Sequence, residues 1–77
     1  MYYKGNFNND QRQGRGILYM FDGTYEGNWM NGCMTGEGSM TIERGPFKKI
    51  ISGQWIDDDI IQGVIQYFSK PSNNLLG

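Results

Sequence analysis

The chain has 77 residues, 38% apolar and 14% aromatic, with seven basic residues against eight acidic for a net charge of −1. That length holds one small domain, whose apolar burial must come from a few large rings and methionines. The charge balance lacks the basic excess of nucleic-acid binders, and no apolar run approaches the roughly 18 residues of a membrane-spanning helix. The chain has no histidine, the commonest metal ligand and acid–base group. Its single cysteine, Cys33, allows no internal disulfide, which fits a reducing, cytoplasmic setting. No signal-peptide pattern follows Met1.

In chain order, "YKGNF" at 3–7 predicts a first strand, and "GRG" at 14–16 lies in a second. "DG" at 22–23 predicts the hairpin turn that follows. "YEGNW" at 25–29 alternates in period two, with Tyr25, Gly27 and Trp29 on one face and Glu26 and Asn28 on the other. "MNGCMT" at 30–35 reads as a polar loop containing Cys33, a neutral surface thiol with no histidine to activate it. Gly36–Ile42 then forms a strand with Gly36, Gly38, Met40 and Ile42 on one face. "ERGPFKK" at 43–49 reads as a lengthened hairpin loop. "ISGQW" at 51–55 begins another strand pair, Asp57–Asp59 form a solvated acidic turn, and a last edge strand lies near 63–68. Calcium binding would need alternating oxygen ligands and a closing Glu after the aspartates, and these do not follow. Pro71 ends the final strand and leaves residues 71–77 as a tail, with Leu75 and Leu76 available to fold back or to meet a partner.

The same words recur. "YKGNF", "YEGNW" and "ISGQW" are successive versions of one pattern, and "GRG", "GEG" at 36–38 and "GVI" at 63–65 follow them. Phe7 to Gly14 and Trp29 to Gly36 are each seven residues, whereas Trp55 to Gly63 is eight, which predicts one extra residue in the third loop. The repeats run about 3–24, 25–50 and 51–70, within a domain spanning 1–70. The glycines do not form a nucleotide loop. Gly27 and Gly32 have the first spacing of a phosphate loop, but Cys33 and Met34 stand where Lys and a hydroxyl residue are required. A packing use explains them instead: a ring on one strand can lie over the next strand only where no Cβ obstructs it. Tyr25 and Trp29 are expected to cover Gly36 and Gly38 in this way. The predicted fold is all-β, a meander of about six antiparallel strands.

These residues resemble the MORN (membrane occupation and recognition nexus) repeat, close to Tyr-x-Gly-x-Trp-x-x-Gly-x-x-x-Gly-x-Gly. The second repeat matches throughout, at Tyr25, Gly27, Trp29, Gly32, Gly36 and Gly38. The first matches at Tyr3, Gly5, Gly14 and Gly16, with Phe7 for Trp and Asp10 for the loop Gly. The third keeps Gly53, Trp55 and Gly63 but has Ile51 for Tyr and Ile65 for the final Gly, in the manner of a terminal capping unit. The resemblance implies an elongated, twisted sheet with an aromatic-lined groove. Such repeats occur in plant phosphatidylinositol-phosphate kinases, junctional membrane proteins, ciliary radial spokes and protist cytoskeletal scaffolds.

The function expected from this is a non-catalytic interaction or scaffold module. Its partners are other proteins or a second copy, and it needs no cofactor and no metal. Tyr3, Phe7, Tyr25, Trp29 and Trp55 form the expected apolar interaction stripe, with Met40 and Ile42 beside it. The first alternative is a phosphoinositide or membrane-surface adaptor touching anionic phospholipid headgroups through Arg44, Lys48 and Lys49. The second is a targeting fragment of a larger enzyme such as a lipid kinase, although no kinase motif is present. A cytoplasmic location is expected, with cytoskeletal, ciliary or membrane association.

Overall fold

The computed structural model describes residues 1–69; the expected tail at 71–77, with Pro71, Leu75 and Leu76, lies outside the described residues. Six strands follow one another in chain order: β1 (Tyr2–Asn8), β2 (Gln11–Met20), β3 (Gly23–Met30), β4 (Cys33–Arg44), β5 (Phe47–Ile56) and β6 (Asp59–Ser69). They form one antiparallel sheet in the order β1-β2-β3-β4-β5-β6, with extents of 55 × 25 × 14 Å. Among the described residues the sheet is one layer thick and open at β1 and β6.

Two-residue turns join the strands, so the predicted loops are shorter and the strands longer than the sequence implies. Asn9–Asp10, Asn31–Gly32 and Asp57–Asp58 each have positive φ at both positions, the backbone of a type I′ hairpin turn. The polar loop expected at 30–35 is therefore a turn at Asn31–Gly32, with Met30 closing β3 and Cys33 opening β4. The turn expected at Asp22–Gly23 lies one residue earlier, at Phe21–Asp22, with Met20 opposite Gly23. Gly23 serves packing rather than turning, since a Cβ there would strike the carbonyl of Thr41 on β4. The insertion at 43–49 is not a longer loop. It adds two rungs to each of β4 and β5, Glu43 opposite Lys48 and Arg44 opposite Phe47, and only Gly45–Pro46 turns.

The register is organised by glycine. Gly5 pairs with Gly16, Gly16 with Gly27, Gly27 with Gly38, Gly38 with Gly53, and Gly53 with Gly63. One unbroken row thus crosses all six strands. Gly63 is therefore the counterpart of Gly16 and Gly38, not of Gly14 and Gly36. From Trp29 to Gly38 is nine residues and from Trp55 to Gly63 eight, so the third repeat is one residue short, not one long. The missing feature is the irregularity on the second strand. In the first two hairpins three residues oppose one: Gln13–Arg15 face Asn6, and Thr35–Glu37 face Asn28. The middle residues, Gly14 and Gly36, have φ of 77° and 85°, a conformation in which glycine carries no steric cost. The third hairpin slips by a single residue, between Gln54 and Trp55.

Candidate interaction surface

Rings lie on one face of the glycine row. A Cβ on Gly16 or Gly38 would overlap the ring of Tyr3 or Tyr25 respectively. Each tyrosine hydroxyl then donates to the carbonyl of the asparagine opposite the bulge, Tyr3 to Asn6 at 2.9 Å and Tyr25 to Asn28 at 3.2 Å. Burial raises the Tyr25 phenol above its ordinary pKa. The tryptophans reach the other way, onto the preceding repeat. Trp29 Nε1 donates to the Gly16 carbonyl at 3.2 Å and Trp55 Nε1 to the Gly38 carbonyl at 3.0 Å. Tyrosine thus closes a hairpin and tryptophan joins hairpins. The rings interlock edge to face: Phe7 on Tyr3, Tyr3 on Trp29, Trp29 on Tyr25 and Tyr25 on Trp55, with centroids 5.0–5.5 Å apart. Such pairs each add about 0.5–1.5 kcal/mol beyond their burial.

This arrangement corrects the expected interaction stripe. Tyr25 is 0% exposed and Trp29 and Trp55 are 3%, because flat rings over glycine leave almost no height for solvent to enter. With Leu18 and Met34 they are the core, and Tyr3, Met40 and Ile51 pack against it. Ile42 is half-buried. Of the five stripe residues only Phe7 is well exposed. Gly36 also departs from expectation: no ring covers it, and its nearest neighbour would be the Asn28 side chain. Arg12 was not foreseen. It stands opposite Phe7 and lays its guanidinium over Trp29, 4.7 Å from the ring centroid. Met34, opposite Trp29, and Ile60, opposite Trp55, hold the corresponding places.

The exposed apolar surface lies instead on β6, where every residue is exposed. Ile60, Ile65 and Tyr67 stand on the ring face, opposite Trp55, Ile51 and Lys49. Val64 and Phe68 stand on the other, opposite Ser52 and Lys48. The sequence signal was available: "IIQGVIQYF" is apolar on both faces, the pattern of a strand covered on both sides.

The three cations expected to touch lipid, Arg44, Lys48 and Lys49, all line one groove, but they are held differently. Arg44 Nε donates to Asp22 Oδ2 at 2.7 Å, and this bond holds the Asp22 carboxyl below its ordinary pKa. Lys48 and Lys49 are consecutive on a strand and point to opposite faces. Lys48 faces Glu43, whereas Lys49 lies between Ile42 and Tyr67. Around Lys49 the groove, of about 550 Å³, is lined by Ile42, Arg44, Phe47, Lys48, Tyr67 and Phe68 among others.

The acidic turn is structural. Asp58 Oδ1 accepts from the Met34 amide at 2.8 Å, and the Asp58 amide donates to the Met34 carbonyl at 3.1 Å. The Gly32 amide makes the matching bond to the Arg12 carbonyl one repeat earlier, at 3.0 Å. Cys33 is half-buried beside this turn. Burial, with the Asp58 and Asp57 carboxylates, raises its thiol above the ordinary value, which keeps it protonated and a poor nucleophile. Among the described residues no group of three His, Cys, Asp or Glu is placed to hold a metal ion, and no helix is long and apolar enough to cross a membrane.

The family model of the MORN repeat matches residues 3–24 and 25–45. These are the first two hairpins of the sheet, with Gly5, Gly16, Gly27 and Gly38 in its glycine row. No curated protein and no solved structure matches the chain significantly.

Proposed function

The chain belongs to the MORN-repeat family, and from that premise we propose that it is a non-catalytic protein–protein interaction module within a cytoskeletal, ciliary or other multiprotein assembly on the cytoplasmic side. The observation that carries this reading is β6, an open strand edge with Ile65 and Tyr67 exposed on one face and Val64 and Phe68 on the other. An exposed apolar edge of this kind is completed by a strand from a partner, which satisfies the edge amides and carbonyls and covers the side chains together. The protonated Cys33 thiol and the lack of histidine support a binding role over catalysis.

Contact with anionic phospholipid headgroups is a second reading, favoured by the groove that sets Lys49 among Phe47, Tyr67 and Phe68. It has less behind it, because two of the groove's three cations stand beside carboxylates, Arg44 bonded to Asp22 and Lys48 opposite Glu43. One paired experiment separates the two. The wild-type chain and a Val64→Glu/Tyr67→Glu variant are recovered from native extract and are also sedimented with phosphoinositide vesicles. We expect the wild type to carry bound protein in stoichiometric amounts and the variant to lose it, with neither chain held tightly by vesicles. Absence of any protein association, together with tight, salt-sensitive vesicle binding lost in Lys49→Ala, contradicts the interaction reading.

A further inference from the structure

We propose that the chain assembles head to tail, the β1 edge of one copy adding to the β6 edge of the next with Gly5 opposite Gly63. This rests on the interaction-module reading and names the occupant of its edge. The sheet already contains two examples of the junction. At β2–β3, Gly27 stands opposite Gly16 and Tyr25 opposite Leu18. At β4–β5, Gly53 stands opposite Gly38 and Ile51 opposite Met40. In both, the first strand of a repeat brings an aromatic onto the preceding glycine, Trp29 at Gly16 and Trp55 at Gly38.

The edge of β6 presents the same half of that junction. Gly63 occupies the place of Gly16 and Gly38, Ile65 the place of Leu18 and Met40, and Ile60 the place of Arg12 and Met34. Leu18 is 9% exposed inside the array, but Ile65 is 48% exposed at its edge. Among the described residues, no strand covers it. The edge of β1 presents the other half. Tyr3, Gly5 and Phe7 repeat the spacing of Tyr25, Gly27 and Trp29, and Phe7 is 62% exposed.

Direction and face both fit. The strands alternate, so β1 runs antiparallel to β6 as β3 does to β2. With Gly5 opposite Gly63, Tyr3 falls opposite Ile65, and Phe7 lies on the ring face beside Ile60. The glycine row and the interlocked rings then continue from one copy into the next. A twofold pairing of β6 with β6 would also set glycine opposite glycine, but neither strand would bring a ring to cover Gly63. The Phe7 ring, unlike the indoles of Trp29 and Trp55, has no N–H to donate to the Gly63 carbonyl, so this junction is weaker than those within the chain and depends on concentration. The two edges are different surfaces, so the contact is heterologous and growth is open-ended.

The experiment uses one variant per edge, Phe7→Glu on β1 and Ile65→Lys on β6, with melting curves to establish that both fold. Tyr67→Lys repeats the β6 test at a more exposed position of the same face. By sedimentation at increasing concentration, the wild type should pass beyond two chains without a plateau. Each variant alone should remain monomeric. An equimolar mixture of the two should form dimers and stop there, because only one intact junction remains, between β6 of the Phe7→Glu chain and β1 of the Ile65→Lys chain. A Phe7→Glu chain that still dimerises overturns the proposal in favour of a twofold β6 contact. A wild type that stays monomeric at high micromolar concentration, while still recovering a different protein from extract through β6, overturns the second-copy occupant and leaves the interaction-module reading intact.

Discussion

At the scale of single residues, the rings and glycines are one device. Glycine in a strand costs about 0.5–1 kcal/mol relative to alanine, and this sheet places one on every strand in a single row. The return is the burial of Tyr25, Trp29 and Trp55 although, among the described residues, no second layer covers the sheet. Trp29 touches Tyr3 and Tyr25, carries Arg12 on its face and donates to Gly16. Trp29→Ala is therefore expected to cost about 3 kcal/mol or more, a large share of a small domain's stability; an unchanged melting temperature would contradict this packing. Gly38→Val tests the other half. Valine favours strands by propensity, but its side chain would occupy the space of the Tyr25 ring, and overpacking of that kind costs about 1–3 kcal/mol. Denaturant midpoints should fall for Gly38→Val and barely move for Gly32→Asn. Gly32 has φ of 83° and open space about it, and asparagine tolerates that conformation. A stabilised Gly38→Val would mean that strand propensity outweighs the ring. The ring-over-glycine relation was legible in the sequence because its spacing recurs. The sequence also assigned the apolar burial to the rings; how completely they are buried, and so that they are not an exposed stripe, was not legible, because a period-two pattern places residues on a face without saying whether anything covers it. Arg12 was hidden between "YKGNF" and "GRG", where no period-two pattern places a side chain on either face.

At the scale of elements, hairpin length is set by rungs added beyond the glycine row. β4 and β5 run two rungs further from that row than β2 and β3, and this brings β4 alongside the Phe21–Asp22 turn. There the Glu43 amide donates to the Asp22 carbonyl at 2.7 Å, and Arg44 bonds the Asp22 carboxylate. The insertion therefore joins two hairpin tips. Its length was legible in the sequence; its form was not, because loop residues and extra ladder residues contribute the same count. A pH dependence follows. The carboxyl of Asp22 titrates below its ordinary value in the folded chain. The stability it lends is thus complete above the unfolded carboxylate value of about 4 and is lost as pH falls through the lowered folded value. The pair is exposed, with Arg44 at 75%, so the effect is small. Thermal melts between about pH 5 and pH 2 should show a shallower acid decline for Arg44→Gln than for the wild type, with the two converging at the acid end. Parallel curves would show that the pair contributes nothing.

At the scale of the whole molecule, a repeat sheet covers each hairpin with the next, so exposure concentrates where the repetition stops. Tyr25, Gly38 and Trp55 are enclosed, whereas Gly63 and Ile65 are not. The sequence identified the third repeat as atypical through Ile51 and the altered glycines, but it could not separate a capping strand from one that awaits a partner. Apolar side chains on both faces of β6 favour the second. The most direct test is residue-resolved amide exchange, made on the chain alone at high dilution and again in the assembly that it joins. The account predicts slow exchange across β3 and β4 in both states. It predicts fast exchange for the outward amides of residues 59–69 in the dilute chain and strong protection of those amides in the assembly. Exchange across β6 that is the same in both states, with protection gained instead near Lys49 on vesicles, would contradict it.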